Sequence, residues 1–120
     1  DDQVLARDFD LPGDVAAHLH CSYGSEAPKV AELARQGLGA RLHPDHPVIE
    51  AEVAFAVRFE QAERAGDVLV RRTALALLDK NAAAMAAGRA IDIMAKELEW
   101  DERRCRAAEA LFAELLHSAI

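Results

Sequence analysis

Between Glu52 and Thr73 the chain reads EVAFAVRFEQAERAGDVLVRRT, a run that sets carboxylates and guanidinium groups within surface that helical spacing marks for burial. On a helical wheel of Val48 to Ala65, Glu52 falls between Phe59 and Ala56, and Glu60 between Ile49 and Val53. Two carboxylates thus point at a core, where an unpaired ion costs on the order of several kcal/mol. Arg71 and Arg72 supply cations of the right shape, since the planar guanidinium fork fits a carboxylate through two hydrogen bonds. Asp67 stands four residues ahead of Arg71, the favourable acid-then-base order on a helix. The expectation is an ion network of Glu52, Glu60, Asp67, Arg71 and Arg72 that locks a central helix to the segment after it. On that expectation Arg72→Ala costs on the order of 3 kcal/mol, and Arg103→Ala, on exposed surface, almost nothing.

Other chemistry-bearing residues form no such group. His18 and Cys21 are spaced i, i+3, and His43 and His46 bracket Asp45, yet no convergent fourth ligand accompanies either pair. His20 and His117 belong to no constellation. Cys21 has histidines beside it but no orienting third residue or oxyanion device, so a nucleophilic dyad is not expected. Gly37-Leu38-Gly39 follows a helical pattern, and Leu42 stands where the third glycine of a dinucleotide fingerprint belongs. Asp8-Phe9-Asp10 has the rhythm of a calcium loop, but Pro12 and Leu19 occupy ligand positions. The chain by itself is therefore read as having no catalytic residue, no metal and no cofactor.

The bulk numbers fit one domain: 120 residues, 52% of them hydrophobic, are enough for a single core. A net charge of -7 repels a phosphate backbone, and no basic cluster with interleaved aromatics offsets it, so nucleic acid is not an expected partner. Two distant cysteines, Cys21 and Cys105, suit a reducing compartment, and a cytoplasmic location is expected. No apolar run approaches the ~20 residues that span a bilayer.

The elements that must hold these residues are helical. Asp14 can cap a helix over Val15 to Ser22 that Gly24 stops, and Pro28 lies in the first turn of the next, which Gly37 and Gly39 close. His43-Pro44-Asp45-His46-Pro47 is loop. Val48 to Ala65 reads as the longest helix, apolar on most of its circumference, stopped at Gly66, with Asp67 capping its successor. Asn81 to Ala87 reads as helix or loose link, with Gly88 a breaker, and Asp101 caps the last helix. No stretch alternates as a strand does. The expected fold is all-α, a single bundle of about five to six helices around the helix at about 48–65, with residues 1–10 a tail from a preceding domain and 11–120 the domain proper.

These segments resemble a known family. The run Asp67-Val68-Leu69 with Arg71-Arg72-Thr73, preceded by Glu52, Val53, Arg58 and Glu60, is similar to the C-terminal cap domain of FAD-dependent glycerol-3-phosphate dehydrogenases and alpha-glycerophosphate oxidases. Leu11-Pro12-Gly13, Tyr23-Gly24-Ser25 and Glu97-Leu98-Glu99-Trp100-Asp101 agree in order and spacing, so the likeness spans roughly Leu11 to Phe112. Phe59 and Ala74 depart from the pattern.

The resemblance implies a parent enzyme that oxidises glycerol 3-phosphate to dihydroxyacetone phosphate, with electrons passing through FAD in another domain to quinone or oxygen. It implies that this piece is structural, packs on the FAD and substrate domains of the same polypeptide, and allows a homodimer of the parent, in the cytoplasm or peripheral on the cytoplasmic membrane face. In that setting Arg58 or Arg72 is the candidate to face outward and contact the catalytic body. A stand-alone helical protein-interaction module is the competing reading.

Overall fold

The Asp1 carboxylate accepts a hydrogen bond from the Val4 N–H at 2.9 Å and so starts the first helix at the second residue of the chain. In the computed structural model, which describes residues 1–119, seven α-helices follow one another. They are α1 (Asp2–Phe9), α2 (Gly13–Tyr23), α3 (Ala27–Leu33), α4 (Glu50–Glu60), α5 (Leu75–Leu78), α6 (Lys80–Leu98) and α7 (Glu102–Ala119). A 3-10 turn, Gly24–Glu26, joins α2 to α3, and wide π-type turns occupy Ala34–Leu38 and Asp67–Arg72. Among the described residues there is no strand, only one isolated antiparallel bridge between Arg41 and Ile49. The all-α expectation holds. Residues 1–10, read from the sequence as a tail, form α1, which buries Leu5 and packs on α2 and α3.

The central helix is shorter than its apolar pattern predicts. Val48 and Ile49 lie outside the helix, with Ile49 extended, because the Leu42 N–H donates to the Val48 carbonyl and the Glu50 N–H to the Ala40 carbonyl, each at 2.9 Å, clasping the proline loop shut. At the other end Gln61 adopts a left-handed conformation (φ 59°) and donates its N–H back to the Ala56 carbonyl, closing α4 five residues before Gly66. What remains is central: Ala51 to Ala56 are all buried, and α4 packs on α3, on α6 and on the Asp67–Arg72 turn.

α6 runs unbroken through Gly88. Ala82, Ala83, Ala86, Ala90, Ile91 and Met94 form a buried stripe of mostly small side chains that lets α6 lie close against α4. Burying a side chain the size of Ile91 or Met94 contributes about 1.5–3 kcal/mol. The Asp79 carboxylate caps α6 by accepting from the Ala82 N–H at 3.0 Å, and Asp101 caps α7 through the Arg104 N–H at 2.8 Å.

Candidate functional site: a buried carboxylate and its arginine rim

Glu52 is the third residue of α4, where a glutamate can reach back to the N–H of the residue preceding the helix. Its Oε2 does so, accepting from the Ile49 N–H at 2.7 Å. Its Oε1 accepts from the Tyr23 hydroxyl at 2.9 Å and pairs with His18 Nε2 at 2.8 Å, both from the neighbouring α2. With a carboxylate opposite, the imidazole donates through Nε2. Glu52 is 0% exposed, so these donors, rather than water, solvate it. Burial, reinforced by the adjacent Glu52 carboxylate, drives the Tyr23 phenol far above its usual range and keeps it a hydrogen-bond donor. The Tyr23 ring meets Phe55 edge-on, with centroids 5.4 Å apart.

The arginines do not reach this carboxylate, contrary to the network expected from the sequence. Two donors on α2 occupy Oε1 and the Ile49 N–H occupies Oε2, while Arg72 lies over the face of the Tyr23 ring, its guanidinium 3.9 Å from the centroid. From there Arg72 Nη2 donates to the Ser22 carbonyl at 3.1 Å. Its Nε stands 2.9 Å from Glu60 Oε1, an ion contact without the alignment of a hydrogen bond. Glu60, in the last turn of the shortened helix, is at the surface and not in the core.

Asp67 also departs from its expected part. Its Oδ2 accepts from the N–H groups of Glu63 and Arg64, each at 3.0 Å, and so braces the loop behind it instead of capping the turn ahead. Arg71 is exposed and 3.9 Å from Asp67. Arg58 forms an ion pair with Glu97 on α6, Nη2 to Oε2 at 3.1 Å, and that pairing holds the Glu97 carboxyl below its usual range. The structure thus joins Glu60 with Arg72 and Asp67 with Arg71, and separates both pairs from Glu52.

Further ion pairs escaped the sequence. Arg89 on α6 grips Glu50 with Nε at 2.8 Å. Arg41 holds Asp14 through two bonds of 2.8 Å, and Asp14, expected to cap α2, lies instead in its first turn behind Pro12. His46 Nε2 is 2.7 Å from Asp79 Oδ2. Only the last left a trace in the chain, an aspartate just ahead of the alanine-rich helix. The other pairs bridge residues 27 and 39 apart, a separation that no local pattern encodes.

Chemically, this arrangement solvates a buried charge and does not expose one. His18 is committed to Glu52, and Cys21 is exposed beside it with no third partner among the described residues. No group of three or more histidine, cysteine or acidic side chains among the described residues is placed to hold a metal ion. A flavin does not fit the Gly37-Leu38-Gly39 segment. Gly37 (φ 114°) unwinds the end of a helix, no strand precedes it, and a side chain at Gly39 would meet the Ala34 carbonyl at 3.3 Å. Two clefts of about 450 and 400 Å³ flank Arg72, one walled by Gln61, Asp67 and Arg71, the other by Tyr23, Lys29 and Phe59.

Residues 2–105 match the family model for the C-terminal domain of alpha-glycerophosphate oxidase. The chain is 46% identical over 103 residues to a probable mitochondrial glycerol-3-phosphate dehydrogenase of Dictyostelium discoideum, a match covering 85% of this chain and 16% of that protein. It is 48% identical over 99 residues to a mitochondrial glycerol-3-phosphate dehydrogenase of Arabidopsis thaliana, covering 78% of this chain and 16% of the relative. With the human mitochondrial glycerol-3-phosphate dehydrogenase it shares 39% over 104 residues, covering 82% and 14%. The matched part thus spans about a sixth of these relatives. No solved structure matches the chain significantly.

Proposed function

The chain belongs to the family of C-terminal domains of alpha-glycerophosphate oxidase, and from that premise we propose that it is the helical cap of a flavin-dependent glycerol-3-phosphate dehydrogenase. The observation that carries the reading is the 46% identity across 85% of the chain to a protein named for that activity. In this reading the parent oxidises glycerol 3-phosphate to dihydroxyacetone phosphate. FAD, held by other domains of the same polypeptide, accepts the electrons, and quinone takes them onward. The cap supplies no reacting group. It is a packed lobe whose α2–α4 junction is fixed by Glu52 and whose Arg72 rim, with Arg58 near the end of α4, meets the catalytic body.

The parent is proposed to act as a homodimer, in the cytoplasm or peripherally at the inner face of the cytoplasmic membrane. The relatives quoted above are mitochondrial by name, and no helix among the described residues is long and apolar enough to cross a membrane.

The deciding experiment uses the full-length polypeptide. Its coding sequence upstream of Asp1 is expected to contain a strand followed by a GxGxxG turn. The purified protein is expected to carry flavin that bleaches on addition of glycerol 3-phosphate and to reduce a soluble quinone. A full-length product without flavin and without glycerol 3-phosphate-dependent reduction overturns the proposal in favour of a stand-alone interaction module.

A further inference from the structure

Eight of the eleven arginines in this chain have a carboxylate partner, from Arg7 with Asp8 to Arg106 with Glu102. Among the described residues the three without one are Arg64, Arg103 and Arg104. Two of these, Arg64 and Arg104, line a single cleft together with Arg71, whose 3.9 Å contact with Asp67 is a loose one. In a molecule of net charge -7, three loosely held cations around one cavity are a local reversal of the overall field.

The cavity lies between the Arg64–Arg71 segment and α7 and has a volume of about 260 Å³. Its walls are apolar: Ala108, Phe112 and Leu115 come from one face of α7, with Val70 opposite and half-exposed Leu111 at the mouth. Gly66 lets the segment lie close against α7 at the cleft wall. A side chain there would come within 2.9 Å of Leu115 Cδ2. Asp67 also lines the cleft, but its Oδ2 is engaged by two backbone N–H groups and its Oδ1 faces Arg71, so its charge is largely spoken for.

We propose that this cleft binds a single-chain amphiphile with an anionic head, of the medium-chain fatty carboxylate type, its tail against Phe112 and Leu115 and its head among Arg64, Arg71 and Arg104. Pockets that hold small ligands are apolar with a few placed polar groups and start near ~300 Å³; at about 260 Å³ this one lies just under that size, which limits it to one short chain and excludes the two of a phospholipid. Guanidinium groups pair well with a carboxylate head, and a neutral amphiphile would forgo that contact.

The chain has a built-in reporter. Its single tryptophan, Trp100, lies under the Arg104 guanidinium, 4.2 Å from the ring centroid. A carboxylate that pairs with Arg104 at the cleft is expected to shift the guanidinium on the Trp100 ring and so change the Trp100 emission. Titration of the chain with decanoate below its micellar concentration, followed by tryptophan fluorescence and calorimetry, is expected to give saturable one-to-one binding. Decanol is expected to bind at least ~10-fold more weakly, the loss of about 1.4 kcal/mol that a missing charge contact implies, and inorganic phosphate to give no response.

Leu111→Asp, at an exposed position, is expected to weaken decanoate at least ~10-fold with the helical circular dichroism unchanged. Arg64→Gln serves as a second weakening variant and Arg103→Gln as one that leaves binding intact. Absence of a saturable response to decanoate, equal affinity for decanol, or binding only to anionic phospholipid vesicles overturns the proposal. None of these readouts involves turnover, so their failure leaves the glycerol 3-phosphate reading where it stands.

Discussion

Glu52 carries the largest electrostatic liability in the fold, a carboxylate at 0% exposure whose oxygens are met by Tyr23, His18 and the Ile49 N–H. Truncating it strands the Tyr23 hydroxyl and a buried backbone N–H at once, and each unsatisfied group costs about 1–3 kcal/mol. Glu52→Ala is therefore expected to lower the unfolding free energy by about 3–5 kcal/mol. Tyr23→Phe, which removes one hydrogen bond to a charged group, should cost about 1.5–3 kcal/mol. Arg72→Ala belongs below both. Glu60 is 35% exposed and Arg72 26%, so water solvates the carboxylate left behind, and about 1–2 kcal/mol covers the exposed ion pair together with the stack on Tyr23. That is less than the sequence alone suggested, because the arginine answers to a surface carboxylate and not to the buried one. Urea denaturation of the three variants checks the order, and an Arg72→Ala loss equal to that of Glu52→Ala contradicts it.

At the scale of elements, Gly88 sits in the middle of α6 with φ/ψ inside a continuous helix, exposed, and with no atom within 4 Å of an added Cβ. Gly88→Ala is expected to stabilise the chain by about 0.5–1 kcal/mol, through reduced freedom of the unfolded state and better helix propensity, seen as a higher urea midpoint at unchanged slope. The same residue shows why the helices were legible and their boundaries less so. Glycine weakens a helix by an amount that a buried stripe from Ala82 to Met94 outweighs, so it did not break α6.

Conversely, α4 ends at Gln61 and the turn before α5 passes through Ala74, both at positive φ (59° and 57°) and neither of a type that announces a left-handed stop. Tertiary packing enforces those stops. Helical spacing sufficed to turn Glu52 inward, since burial follows from local periodicity. Its partners did not follow, because His18 and Tyr23 lie 34 and 29 residues away on a helix whose docking only the assembled core fixes.

For the whole molecule, three carboxylates are held below their usual range by partners distant in the chain. Asp14 is held by Arg41, Asp79 by His46 and then by the Ala82 N–H, and Glu97 by Arg58. Unfolding dissolves these pairings and returns the groups toward ~3.9 for aspartate and ~4.3 for glutamate. In acid the unfolded chain then binds more protons than the folded one, so stability rises with pH. The contribution is complete above the ordinary carboxylate range and is lost as pH falls through the lowered folded values. The urea midpoint is expected to hold down to about pH 5 and then to drop as pH falls through ~4 toward 3. The combined variant Asp14→Asn, Asp79→Asn, Glu97→Gln should start lower at neutral pH and lose less on acidification. Asp14 and Asp79 are solvent-facing, so ~1 M salt, with its screening length of ~3 Å, should shrink the difference between the two chains. Parallel acid profiles for parent and variant would show that these long-range pairs do not couple protonation to folding.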